Sequence, residues 1–224
     1  MGDFSQEMRQ YYARRAPEYD DWYNRIGRYD DPATNALWHG EVAALGHIAS
    51  DYGSGRLLDI ACGTGRWTER FAANPRVTEV TALDGADEML AQTRARLEAA
   101  GCRAALVRGD AYAMPFADAS FDCAFSGFFL SHVPPERVDA WLAEVRRVLR
   151  PGGTLLIFDS LLPEGRAEVE VQQRPLKDGS RHNVLKVYYT PATLTRALAT
   201  IAARGGSSAA TTGRYFVHAR LTTR

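Results

Sequence analysis

The sequence predicts an α/β fold: a doubly wound, mostly parallel seven-stranded sheet with helices on both faces, an antiparallel last strand, an N-terminal helical lid and a β-hairpin inserted after the fifth strand. Three observations predict it. Apolar or alternating runs take turns with helical patterns, and a glycine turn containing Gly63 and Gly65 joins the first run to a helix. Beyond Ser160, two alternating runs flank an Asp-Gly turn with no helix between them.

At the N-terminus, Tyr11, Arg15 and Tyr19 recur every four residues, but Pro17 interrupts a single helix. Two short helices meeting near Ala16 are expected, forming a lid within residues 1–50. Five strand and helix patterns follow: "RLLDIA" then "GRWTERFAAN", "VTEVTALD" then "ADEMLAQTRARLEAAG", "RAALVRGD", "FDCAFSG" then "PERVDAWLAEVRRVLRPGG", and "TLLIFDS". Strands separated by helices of this length require crossover connections, hence parallel pairing. Pro151 cannot continue a helix and Gly152 with Gly153 permits a sharp turn, so the helix before the fifth strand is expected to end at Arg150. "EVEVQQRPL" and "RHNVLKVYY" around "KDGS" read as the hairpin. Thr190 as N-cap and Pro191 in the first turn begin the helix "TPATLTRALATIAARGG", and "RYFVHARL" is the last strand. The chain reads as one domain over 1–224: lid 1–50, core 51–160, hairpin insertion 161–190, and C-terminal helix and strands 191–224. It contains no internal repeat or low-complexity tract.

Composition narrows the function classes. The 224 residues are 46% hydrophobic and 24% charged, with 27 basic and 27 acidic side chains. That size supports a full core, and balanced charge gives no chain-wide attraction to nucleic acid or an anionic membrane, so a small-molecule partner is expected. Cys62, Cys102 and Cys123 have no C-x-x-C pairing, which points to buried reduced thiols and no metal site. The start "MGDFSQEMRQYY" is too polar and acidic for a signal peptide, and no apolar run reaches the roughly 20 residues of a membrane helix, so a cytoplasmic location is expected.

The stretch "LLDIACGTGRW" carries the chemistry. A dinucleotide fingerprint needs a third glycine three positions after the second, and here that position is Thr68. The pattern Asp59-x-x-x-Gly63-x-Gly65 instead resembles the first motif of the class I S-adenosylmethionine-dependent methyltransferases, with Ala61 in place of the family's first glycine. "GDAYAMPF" resembles that family's adenine-binding stretch, "FDCAFSGFFLSHV" its segment lining the methyl-transfer site, and "LRPGGTLLI" its fifth-strand entrance. The N-terminal "YYARRAPEYD" resembles the cofactor-covering helices of small-molecule members, including quinone-biosynthesis C-methyltransferases.

The resemblance implies S-adenosylmethionine as cofactor and in-line methyl transfer to a small-molecule acceptor at O, N, C or S, accomplished mainly by alignment. Asp84, about 20 residues beyond the glycine turn, is then the ribose clamp. Asp110 would meet the adenine amino group and the Ala111 backbone a ring nitrogen. The implied cofactor set also contains Asp59, Ala61, Gly63, Gly65, Trp67, Gly85 and Ser126, with Tyr12 and Tyr19 closing the lid over the methionine end. For Trp67 plain core packing competes with ligand contact, and Phe129 is left out of the site. Arg14 or Arg15 could reach the cofactor's carboxylate, but the favoured expectation is amphipathic packing with both arginines exposed.

His132 suits a general base, with a structural role fixing the turn before Pro134 and Pro135 as the stronger competitor. Asp159, at a strand end facing the crevice, is the other candidate base, or a loop cap. Phe128, Ser160, Arg174 and Tyr188 are candidate acceptor contacts. Gln172 and Asn183 share the hairpin, and its register decides which face the crevice. Arg174 would select a carboxylate, phenolate or other electron-rich group. Two readings compete with methyl transfer. A nicotinamide oxidoreductase is opposed by Thr68 and "GDAYAMPF". A protein that cyclises, cleaves or merely senses the cofactor would share every binding motif. Oligomeric state is not encoded.

Overall fold

Alternate residues of the central strands are apolar on both faces, as required of strands covered by helices on each side. The computed structural model describes residues 4–224. It has strands β1 (Gly55–Ile60), β2 (Val77–Asp84), β3 (Ala105–Arg108), β4 (Phe121–Gly127), β5 (Leu149–Ser160), β6 (Val169–Pro175), β7 (Arg181–Val187), β8 (Ala202–Thr211) and β9 (Phe216–Thr223). The helices are α1 (Phe4–Arg15), α2 (Asp21–Asn24), α3 (Asn35–Ser50), α4 (Arg66–Ala72), α5 (Asp87–Ala99), α6 (Val138–Val148) and α7 (Pro191–Leu198).

The main sheet has the order β3-β2-β1-β4-β5-β9-β8. Its first five strands pair in parallel, and β9 and β8 are antiparallel. Strand order reverses between β1 and β4, so a crevice opens at the carboxyl ends of the strands there. Leu58, Ile60, Leu155 and Ile157 pack against Trp141 and Val145 of α6 and Leu194 and Leu198 of α7. One residue out of phase, Leu57, Leu156 and Phe158 pack on the opposite face with Leu45 of α3 and Phe71 of α4. Burying each such side chain contributes about 1.5–3 kcal/mol, which leaves little freedom to slip the register.

The hairpin β6-β7 forms its own two-stranded sheet, paired from Val169 with Val187 to Pro175 with Arg181. The lid breaks where Pro17 stands: α1 ends at Arg15, a 3-10 turn spans Ala16–Glu18, and α2 follows. Residues 1–3 of the expected lid lie outside the described residues. Thr190 caps α7 by accepting from the Thr193 backbone N–H, while the Thr193 hydroxyl accepts from the Thr190 N–H in return.

Three expectations need correction. The helix before β5 stops at Val148, two residues early, and Leu149 is already extended. The residue preceding a proline is driven out of the helical region, so Arg150 cannot be helical, and Leu149 joins the sheet opposite Phe121. The tail "AARGGSSAAT", whose first half was assigned to the last helix, is edge strand β8. Adjacent glycines weaken a helix, and pairing with β9 at Ala202 and from Ser207 to Thr211 gives the inward-facing backbone groups partners. Cys62 and Cys123 are buried, but Cys102 is only half-buried, at the helix exit after α5. Among the described residues no helix is long and apolar enough to cross a membrane.

Candidate active site

Past the end of β1 the backbone turns through the left-handed region at Ala61, Gly63 and Gly65, with φ of 57°, 57° and 75°. Glycine removes the strain of that conformation; Ala61 bears it. At Gly65 the reason is also steric, since a Cβ there would lie 2.7 Å from Thr93 Cγ2 and 3.0 Å from its Cα. Asp84, at the end of β2, ties the turn down: one carboxylate oxygen accepts the Gly63 N–H at 2.9 Å and the other accepts the Ala86 N–H at 2.9 Å. Burial raises the Asp84 pKa to about 6, against the pull of those backbone donors.

The turn forms one wall of a cleft of about 920 Å³, measured out to its open mouth. Ala61, Gly63, Asp84, Gly85, Asp110 and Ala111 line it as the sequence leads one to expect, and Tyr12 and Tyr19 of the lid close its side. Phe129, left out of the expected site, lines it too, as do Met89 and Gly109. Asp110 holds Arg9 of α1 at 3.7 Å and accepts the Tyr112 N–H at 2.9 Å. Four of the expected cofactor residues do not line it. Asp59 is buried beneath the turn, accepting from the Thr68 hydroxyl at 2.6 Å, and burial raises its pKa to about 7. Gly65 serves helix packing. Trp67 is core, stacked edge-on against Phe158 and donating to the Tyr23 hydroxyl. Ser126 sits inside the sheet, with its hydroxyl unpartnered.

A second cleft of about 2080 Å³ adjoins the first. Its lining comes from the lid, the end of β5, the hairpin and the turn before β9: among others Arg15, Trp22, Ser160, Gln172, Arg174, Lys186, Tyr188 and Phe216. Tyr12, Tyr19, Phe128 and His132 line both clefts and so form the neck between them. Phe128 is placed there by a left-handed backbone, φ 59°, which turns its ring onto Trp22, Tyr23 and Phe216. The hairpin register puts Gln172, Arg174, Lys186 and Tyr188 toward the cleft; exposed Asn183, opposite Gln173, falls on the other face.

The lid is fixed from two sides. Asp20 accepts from the Thr64 hydroxyl at 2.7 Å and pairs with Arg96 of α5, while Lys177 of the hairpin turn pairs with Asp21 at 2.6 Å.

His132 is hydrogen-bonded through both ring nitrogens. Nδ1 lies 2.6 Å from the Leu185 carbonyl, which can only accept, so Nδ1 carries the proton and Nε2 accepts from the Tyr12 hydroxyl at 2.7 Å. Burial, then the Lys186 and Arg174 cations, hold His132 well below the ordinary histidine value, so it stays neutral. Asp159, expected to face the crevice as a base, lines neither cleft. It is fully buried, accepts the Ser131 and Ser160 N–H groups at 2.8 and 2.7 Å, and faces Lys186 at 3.7 Å. Lys186 donates to the Ser131 and Ser160 hydroxyls at 2.8 and 2.7 Å. Burial raises Asp159 and brings Lys186 down to about 8, so desolvation outweighs the mutual attraction on both partners.

Sequence reasoning missed Lys186 and Arg15. Lys186 had a readable signal: it stands two residues from Tyr188 on an alternating strand, so it shares that face. Arg15, expected to be exposed, is 5% exposed and stacks on the rings of Tyr11, Tyr12 and Tyr19. Its four-residue spacing from Tyr11 and Tyr19 was visible, but not which way that face turned.

Residues 57–153 match a family model described as a methyltransferase domain. The chain is similar to the demethylmenaquinone methyltransferase of Lactiplantibacillus plantarum, 35% identical over 152 residues, covering 66% of this chain and 60% of that one. It is similar to the ubiquinone/menaquinone biosynthesis C-methyltransferase of Paracoccus denitrificans, 45% identical over 105 residues, 46% of this chain and 41% of that one. The chain thus spans only about half the length of these relatives. Among solved structures it resembles a DhpI–SAH complex with TM-score 0.73 and 26% identity, covering 100% of this chain and 98% of that one. A DhpI–SAM–HEP complex gives TM-score 0.74 and 25% identity over 98% of each.

Proposed function

We propose that this chain, which belongs to the class I S-adenosylmethionine-dependent methyltransferases, binds S-adenosylmethionine in the first cleft and methylates a small molecule held in the second. The observation that carries this reading is the neck: Tyr12, Tyr19, Phe128 and His132 line both clefts, so a donor in one and an acceptor in the other meet there. The donor set of the first cleft fits the cofactor. A desolvated Asp84 carboxylate faces it, suited to ribose hydroxyls, and Gly63, held at a positive φ beside it, lines the same wall. Asp110 and Ala111 line the same cleft and are assigned to the adenine edge. The DhpI complexes, by their names, hold SAH and SAM, and the similarity supports the same cofactor here.

When bound, S-adenosylmethionine supplies a methyl carbon already activated by a sulfonium. What the chain then contributes is alignment and exclusion of water, effects that can lower a barrier by several kcal/mol. Aromatic side chains wall the neck, and the His132 bond holds the Tyr12 hydroxyl in place there. The proton-accepting atoms of His132 and Asp159 are committed to internal partners, so neither is assigned as base. Ser160, Arg174 and Tyr188 are assigned to the acceptor. Three free cysteines support a reducing, cytoplasmic setting.

Incubation with S-adenosylmethionine and a panel of metabolites, followed by mass spectrometry, tests the reading. A methylated product with equimolar S-adenosylhomocysteine is expected. Cofactor breakdown without a methylated product overturns it.

A further inference from the structure

The second cleft is rich in uncancelled positive charge. Arg15, Arg28, Arg174, Lys186 and Arg214 line it, against the single acidic side chain Glu164 among its described lining residues. Arg28 faces Glu18 at 3.9 Å and Lys186 faces Asp159 at 3.7 Å. Arg15 and Arg174 have no such counter-charge among the described residues.

Arg15 is the most telling. It is 95% removed from solvent, yet its terminal nitrogens donate only to neutral phenols, Tyr11 at 3.2 Å and Tyr29 at 3.4 Å. Its Nε is buried without any hydrogen-bond partner. Its strongest electrostatic neighbours are four tyrosines and no carboxylate. Burying a guanidinium with an orphan donor and no counter-ion is costly; stacking on Tyr11, Tyr12 and Tyr19 offsets part of that cost, and a ligand that supplies the missing charge would offset more. Arg174 repeats the pattern: Nε and one terminal nitrogen both donate to a single amide oxygen, Gln172 Oε1, at 2.9 and 2.7 Å. That holds the guanidinium in a fixed orientation without neutralising it. Arg15, Arg174 and Lys186 all line this cleft, and both arginines lower the affinity of Lys186 for its proton.

We infer that the second cleft is an oxyanion-binding site, and that the acceptor carries a carboxylate or phosphoryl group held by Arg15, Arg174 and Lys186. The inference rests on the functional reading above only for the word acceptor; the binding site stands on the cleft itself. Guanidinium forks suit the paired oxygens of such groups, and Trp22, Tyr29 and Tyr188 line the same cleft beside them.

Calorimetry with defined probes tests it. Phenyl phosphate, benzoate and neutral benzyl alcohol are titrated into the intact chain, with and without saturating S-adenosylhomocysteine. At least one anion is expected to bind about tenfold more tightly than benzyl alcohol, and to weaken as salt is added. Preference for phenyl phosphate identifies a phosphoryl group, and preference for benzoate a carboxylate. Arg174→Gln, at a half-buried position that spares the core, should weaken the anion about tenfold while leaving benzyl alcohol unchanged. Arg15→Gln should do at least as much, and its circular dichroism and thermal transition are recorded because it packs beneath the lid. Equal binding of the neutral probe, or an unchanged anion affinity in Arg174→Gln, overturns the inference. S-adenosylhomocysteine binding without anion binding removes the inference and leaves the cofactor reading intact; anion binding without S-adenosylhomocysteine binding does the reverse.

Discussion

The first cleft takes its floor from three short stretches around 61–63, 84–86 and 109–112, each at the carboxyl end of a parallel strand or just beyond it, and its cover from side chains of the lid and of residues 127–134. The second gathers side chains from residue 12 to residue 216, carried by lid, sheet edge, hairpin and C-terminal turn. One cleft follows from topology, because any doubly wound sheet delivers the ends of β1, β2 and β3 side by side. The other depends on where two insertions dock, and its polar groups hold one another in place. Damage should therefore be local in the first cleft and should spread through the fold in the second.

The largest expected effect tests the second half of that contrast. Lys186→Met removes one partner of a buried charge pair and leaves Asp159 without its counter-ion, an error that costs about 3 kcal/mol or more of stability. The urea midpoint should fall accordingly. A stability within 1 kcal/mol of wild type would mean that the pair is not structural and the two clefts are alike in this respect.

In the first cleft the corresponding change should stay local: an asparagine can accept only one of the Gly63 and Ala86 N–H groups that Asp84 holds, so the turn loosens while the sheet stands. Asp84→Asn loses charge-assisted hydrogen bonds to the cofactor, about 1.5–3 kcal/mol, or roughly a ten- to hundredfold weaker cofactor affinity by calorimetry. On the proposed ribose contact, binding requires the carboxylate form of Asp84, whose pKa burial raises to about 6. Wild-type affinity should thus be full above that value and fall as pH drops through it, whereas the Asn variant should lose this limb. An unaltered pH profile would detach Asp84 from the ribose.

A smaller effect is expected at the neck that the clefts share. Tyr12→Phe deletes the hydroxyl donated to His132 and leaves a buried Nε2 unsatisfied, costing about 1–2 kcal/mol. At saturating cofactor, wild-type turnover should show no inflection near the ordinary histidine value of 6.5, because His132 is held neutral well below it. An inflection there that vanishes in His132→Gln would restore the histidine as base.

The smallest change is Asn183→Ala, on the outer face of the hairpin. Stability and acceptor KM should stay within about 0.5 kcal/mol of wild type. A clear rise in KM would mean that the hairpin presents its other face to the acceptor.

Periodicity and turn chemistry carry their information within a few residues, and what they encode locally was legible. Alternation out of phase between Leu57 and Leu58 requires a sheet covered on both faces; Pro17 breaks the lid helix; Thr190 with Pro191 starts α7; and the glycine turn with Asp84 marks the first cleft. β8 was not legible, because "AARGGSSAAT" has no alternation of its own and takes its register from β9. Nor was the fate of single side chains whose surroundings lie far away in the chain. Asp59 and Asp159 stand at the ends of crevice strands, yet each points into the interior, toward Thr68 and Lys186 respectively. Arg15 has the pattern of a solvated helix residue and becomes buried only when the lid packs between core and hairpin. Local sequence determines the backbone and its turns, whereas the partner that satisfies a buried charge can sit 27 residues away, as Lys186 does from Asp159, or be a ligand, and only tertiary packing selects it.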